Sequence, residues 1–140
     1  MIRAVLDTGV IIAGAISPLG APASVLRRWQ QGAFELVMCP ASILELTRVF
    51  AYPKILERVL PEAALRVLWA LREGALLLPD PKDVPAVCRD PDDDYLFALA
   101  AASGAVLVSG DADVTGVKDP PVQVLSPTAF AALVAGSQGD

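Results

Sequence analysis

Met1-Ile2-Arg3-Ala4-Val5-Leu6-Asp7-Thr8-Gly9-Val10-Ile11-Ile12-Ala13-Gly14-Ala15-Ile16 opens the chain, and its reading decides the fold. Ile2 to Leu6 reads as a short buried strand, its apolar run Ala4-Val5-Leu6 stopped by the charge of Asp7. Thr8 and Gly9 read as a turn into the apolar segment Val10 to Ile16. A strand without polar alternation has no water-facing side. It belongs in the middle of a sheet covered on both faces, as in parallel α/β proteins.

The same unit recurs along the chain. Strands are expected at Phe34 to Cys39, Ala75 to Leu78, Ala105 to Val108 and Val122 to Leu125, all predominantly apolar and without regular polar alternation. Between them lie helical segments. One covers Pro22 to Gln31, with proline near its start and Gly32 just past its end. Another begins at Pro40, with Ile43, Leu46, Thr47 and Phe50 on one arc and Glu45 off it, and Tyr52-Pro53 ends or kinks it. A long helix over Pro61 to Glu73 shows an inward stripe of Leu60, Ala64, Val67, Leu68 and Leu71. Pro79 to Pro85 is a loop. Asp90-Pro91 caps a nearly all-apolar helix running to Ser103, and a last helix lies near Thr128 to Val134. Strands alternating with helices predict a three-layer α/β/α sandwich around a central, mainly parallel sheet. A single domain over residues 1–135 is expected, with a flexible tail at 136–140.

Composition narrows the function. Of 140 residues, 54% are hydrophobic and only 6% aromatic, which argues against an aromatic platform for stacking bases. Cys39 and Cys88 lie far apart without CxxC spacing, so neither a zinc site nor a disulfide framework is read. The N-terminus shows no signal peptide, and the apolar stretch from Leu96 to Val108 is too short to span a bilayer; a soluble cytoplasmic protein is expected. The net charge of −5 opposes nucleic-acid binding, although Arg27, Arg28, Arg48, Lys54 and Arg58 gather in one half of the chain.

The carboxylates carry the chemistry. Asp7 and Asp111 each follow directly on a buried strand, and parallel strands bring their carboxyl ends to one edge, where open α/β sheets hold their sites. Strand exits also favour turn-forming aspartates, so that reading stands beside the functional one. Asp90, Asp92, Asp93 and Asp94 crowd four acids into five residues at a helix start. Capping and the helix dipole account for part of this, but packed acids repel, and a bound cation turns repulsion into coordination. On pattern alone, Glu45 reads as a surface glutamate paired with a basic neighbour.

Taken together, these residues resemble a known family. Met1 to Val10 is similar to the opening of PIN domains, and Pro40 to Val49 to their second acidic segment. Arg89-Asp90-Pro91-Asp92-Asp93-Asp94 and Ser109-Gly110-Asp111-Ala112-Asp113 resemble the last two acidic motifs. Within the family the chain looks most like the toxins of toxin–antitoxin pairs related to VapC. The resemblance implies that Asp7, Glu45, Asp93 and Asp111 are the catalytic metal ligands, with Asp93 chosen over Asp94 by its spacing to the Ser109 turn, and that the ion is Mg²⁺ or Mn²⁺. It further implies an endoribonuclease with an RNA substrate, an antitoxin partner and a homodimer. Two positions depart from the pattern: Gly9 stands where the family commonly has Asn, and Ser109 where it commonly has Thr.

The chain has no histidine, which excludes an imidazole base and His-dependent triads. Carboxylates holding hard divalent cations supply the missing chemistry for phosphodiester hydrolysis. Two other phosphate chemistries fit less well. A Toprim-type site expects Glu where Asp7 stands, and a phosphoaspartate receiver expects a lysine after a late strand, whereas Lys118 lies in a proline-rich loop. The non-enzymatic alternative is a PIN-like module whose acidic rim captures a basic partner peptide.

Overall fold

The computed structural model describes residues 1–137. Five strands, β1 (Arg3–Leu6), β2 (Glu35–Met38), β3 (Leu76–Leu77), β4 (Val106–Val108) and β5 (Val124–Leu125), form one sheet in the order β3-β2-β1-β4-β5. Every neighbouring pair is parallel, with Ala4 beside Leu36 on one side and Leu6 beside Val108 on the other. The order reverses between β1 and β4, which opens a crevice at the carboxyl ends of those two strands.

Helices α1 (Thr8–Ile16), α2 (Ala21–Gln30), α3 (Pro40–Phe50), α4 (Pro53–Leu56), α5 (Pro61–Gly74), α6 (Asp94–Ser103), α7 (Ala112–Thr115) and α8 (Pro127–Ser137) cover the sheet. Alternate strand residues point into different cores. Ala4, Leu6, Leu36, Met38 and Val108 pack with α1, α2, α3, α5 and α8, whereas Val5, Val37 and Leu107 pack with α6 and with Val114 of α7. Both faces are therefore dry, which is why the strands carry no polar alternation. Gly104 ends α6 in the left-handed conformation at φ 67°, where a side chain would be strained.

Several expectations need correction. Thr8 and Gly9 are the first turn of α1, because Asp7 caps that helix: its backbone oxygen accepts from Val10 N–H and its side chain from Gly9 N–H. Leu60 caps α5 and is 70% exposed, so it lies outside the inward stripe that Ala64 and Leu71 form. Thr47 is exposed and returns its hydroxyl to the Ile43 carbonyl. The helix expected from Pro91 starts as a 3-10 turn, Pro91–Asp93, before α6 begins. Ala101 and Ala102 of α6 face outward. The short helices α4 and α7 were not expected. Of the expected tail at 136–140, residues 138–140 lie outside the described residues, and the last helix runs to Ser137.

Among the described residues no single helix is long and apolar enough to cross a membrane; α1 and α2 together reach the length but are bent by 96°.

Candidate metal centre

Asp7 leaves β1 at the crevice. Its backbone N–H donates to the Val108 carbonyl at 2.9 Å, which locks the end of β1 to the end of β4. Immediately after Val108, the wholly buried Ser109 donates its hydroxyl to Asp7 Oδ2 at 2.7 Å and accepts from Asp111 N–H at 3.0 Å. One hydroxyl thus fixes the Asp7 carboxylate and the backbone that presents Asp111. Asp7 and Asp111 line one cleft of about 350 Å³ with Gly9, Val10 and Gly110.

Asp111 also caps α7, its Oδ1 accepting from Asp113 N–H at 2.9 Å. The turn-forming role and membership of the cleft coexist in one residue.

The four clustered aspartates separate by role. Asp90 caps the 3-10 turn through Asp92 N–H at 3.0 Å, and Asp92 is exposed. Asp94 is buried, and its Oδ1 accepts from Cys88 N–H at 2.7 Å and Val87 N–H at 3.0 Å. Those amide donors hold its carboxyl below the ordinary carboxylate range and tie down the loop preceding α6. Asp93 instead sits in the field of the other acids: partial burial and then the charges of Asp7, Asp90, Asp111 and Glu45 push its carboxyl up to about 6. The same acidic surroundings reach Cys88, where burial and then Asp94 and Asp93 push the thiol up to about 11.

Glu45 comes from α3, which follows β2, the neighbour of β1. Among the described residues it makes no ion pair with a basic neighbour, the partner its pattern suggested. Its Oε2 accepts the hydroxyl of Tyr95 at 2.5 Å. Tyr95 was missed in the sequence; the available signal was one phenol on a helix that is otherwise Ala, Leu and Phe between Asp94 and Ser103. Asp80 was missed too, and its Oδ1 caps α3 by accepting from Ala41 N–H at 2.8 Å.

Asp7, Glu45, Asp93 and Asp111 thus reach one sheet edge from four stretches of chain. Among the described residues, however, no three acidic or cysteine side chains stand grouped as a finished coordination sphere. The donors are all carboxylate oxygens, which suit a hard divalent cation; Asp93 is raised first by burial and then by repulsion from the other acids, and such a cation relieves the repulsion. At Gly9 an added Cβ meets nothing within 4 Å, so packing does not demand glycine there.

Repulsion at Asp93 gives an expected result. Because its folded pKa lies above the unfolded value, it favours folding less as pH rises toward and through about 6. Asp93 is partly exposed, so solvent screening reduces the effect to about 1 kcal/mol. In metal-free protein at pH 7.5, Asp93→Asn should raise the melting temperature by roughly 3 °C. Melting curves at pH 4 should show that gap closed; a gap that persists there would remove the cost of ionising Asp93 from the account.

An open, parallel α/β sheet with an acidic crevice at its topological switch point defines the class. The sequence matches the PIN domain family over residues 3–113, and the chain belongs to that family. Uncharacterized protein MJ1680 of Methanocaldococcus jannaschii is 28% identical over 119 residues, covering 84% of this chain and 76% of that protein. Among solved structures, PAE2754 from Pyrobaculum aerophilum aligns with a TM-score of 0.65 at 18% identity, over 96% of this chain and 90% of that one. VapBC2 from Rickettsia felis, bound to a DNA fragment from their promoter, aligns with a TM-score of 0.58 at 14% identity, over 89% and 98%. At these identities the structural likeness is one of fold.

Proposed function

We propose that this chain is a metal-dependent endoribonuclease in which Asp7, Glu45, Asp93 and Asp111 hold Mg²⁺ or Mn²⁺, and that it is the toxin of a toxin–antitoxin pair. The PIN-domain membership and the fold likeness to VapBC2 support a nuclease of toxin–antitoxin type in general. The single observation that carries the finer reading is Asp93, whose carboxyl is raised first by partial burial and then by the charges of Asp7, Asp90, Asp111 and Glu45. The same reading takes residues 1–135 as one domain, acting in the cytoplasm as a homodimer with an antitoxin partner.

Each side chain then has a task. When bound, the cation supplies Lewis acidity, activating water and neutralising charge on the phosphoryl group and the leaving oxygen. Asp7 and Asp111 bring charge from the two strands flanking the crevice, and Ser109 keeps the Asp7 carboxylate from rotating away. Asp93 and Glu45 close the cluster from the helical layers on either face. With no histidine in the chain, proton transfer falls to carboxylates and solvent.

Mn²⁺ at about 100 times its Kd should stabilise the protein by about 2.7 kcal/mol, which corresponds to roughly 8 °C in melting temperature. Cleavage of RNA should appear with the metal and vanish with chelator. No thermal shift and no cleavage at millimolar Mn²⁺ would contradict the assignment. Gly9, in place of the family's common Asn, favours a second reading as a catalytically weak binding module. Capture of a small basic-tailed protein without cleavage of any RNA would select it.

A further inference from the structure

We propose that Tyr95 is a positioning residue for Glu45, holding that carboxylate at the crevice through its phenolic hydroxyl so that Glu45 binds the divalent cation with its side chain already ordered. The inference rests on the metal-site reading above. Glu45 and Tyr95 are 50 residues apart, on helices that pack into different cores: α3 buries Leu46 and Phe50 in one, while Tyr95 packs against the other beside Phe97. Their hydrogen bond therefore spans the sheet edge and ties the two helical layers together where the acids meet.

A free glutamate side chain has several rotatable bonds, and fixing them costs about 1.5–2 kcal/mol in rotamer entropy. Glu45 lies at the margin of its helix, with no ion pair among the described residues to hold it. The phenol supplies that restraint. Its ring is half-buried, so the hydroxyl approaches from a fixed direction, and it occupies Oε2 while leaving Oε1 for a cation. Carboxylates that ligate metals are commonly oriented by such partners, whose loss typically weakens metal binding about 10–100-fold.

Calorimetric titration of the full chain with Mn²⁺ alone tests this. Tyr95→Phe keeps the ring and removes only the hydroxyl; Mn²⁺ affinity should fall about 10-fold. Glu45→Gln should also weaken binding, and the double variant should bind no worse than Glu45→Gln alone, because the phenol acts only through that carboxylate. Additive losses would overturn the inference, since a merely structural tyrosine would not couple to Glu45. A second measurement uses the native fold. The chain has two tyrosines, and the other, Tyr52, is 50% exposed at the end of α3, so Mn²⁺ should perturb the tyrosine ultraviolet difference spectrum through Tyr95, and Glu45→Gln should abolish the perturbation. Native affinity in Tyr95→Phe, with binding lost in Asp7→Asn, would sink the role of Tyr95 and leave the metal site standing. No Mn²⁺ binding by the native protein would sink both.

Discussion

Asp7→Asn is expected to reduce metal-dependent RNA cleavage by roughly 10³-fold, equivalent to about 4 kcal/mol of transition-state stabilisation. The substitution removes one negative charge from the crevice and almost no volume. Asn caps helices about as well as Asp, so its amide oxygen can still accept from Gly9 N–H at the start of α1. The amide NH2 then takes the place of Oδ2 and can donate to the Ser109 hydroxyl oxygen, reversing the bond that Asp7 accepts. The loss should therefore fall on metal affinity and turnover, with the melting temperature of the metal-free protein unchanged or higher. Single-turnover cleavage with Mn²⁺, alongside thermal melts, separates these effects. Full activity in Asp7→Asn would remove this residue from the mechanism.

Phe97→Ala is expected to cost about 3–5 kcal/mol of folding stability, a large share of the 5–15 kcal/mol typical of a domain. Phe97 is 1% exposed and belongs to the core whose buried helical residues come from α6 and α7 alone among the described residues. With so few elements covering that face, little can collapse into the space the ring leaves. The effect should reach the site as well, because α6 begins at Asp94 and carries Tyr95, next to Asp93. Trp69→Ala offers the contrast: that ring is 67% exposed on α5, and its removal should change stability by no more than about 0.5 kcal/mol. Urea unfolding of the two variants measures the difference. A loss below 1 kcal/mol in Phe97→Ala would mean that the second core is not held together as described.

The sheet was legible because burial on both faces leaves its mark on the inner residues of its central strands. Val5 and Leu107 face one core, Leu6 and Val108 the other, and none can be polar. What escaped was either too short or too distant. A four-residue helix such as α4 or α7 completes scarcely one turn and shows no periodicity to read. Leu60 matched the apolar spacing of α5 but sits at its cap, where the chain has not yet entered the helix.

At the site, Asp7 and Asp111 were legible from strand exits alone, since topology fixes where a strand ends. Asp93 and Asp94 are adjacent in one acidic run, and only the fold separates them: Asp94 turns inward to the amides of Val87 and Cys88, and Asp93 remains among the other acids. Glu45 was the least legible. Its direction depends on how α3 crosses the sheet edge, and its partner, Tyr95, comes from the opposite layer. The resemblance to PIN domains singled it out, where periodicity favoured a surface ion pair.

A crystal of the full chain soaked in Mn²⁺ and measured at the manganese edge tests the central claim most directly. An anomalous peak is predicted at the crevice between β1 and β4, within coordination distance of Asp7, Asp93 and Asp111. Saturating manganese with no peak there, or a peak bound elsewhere on the molecule, would contradict it.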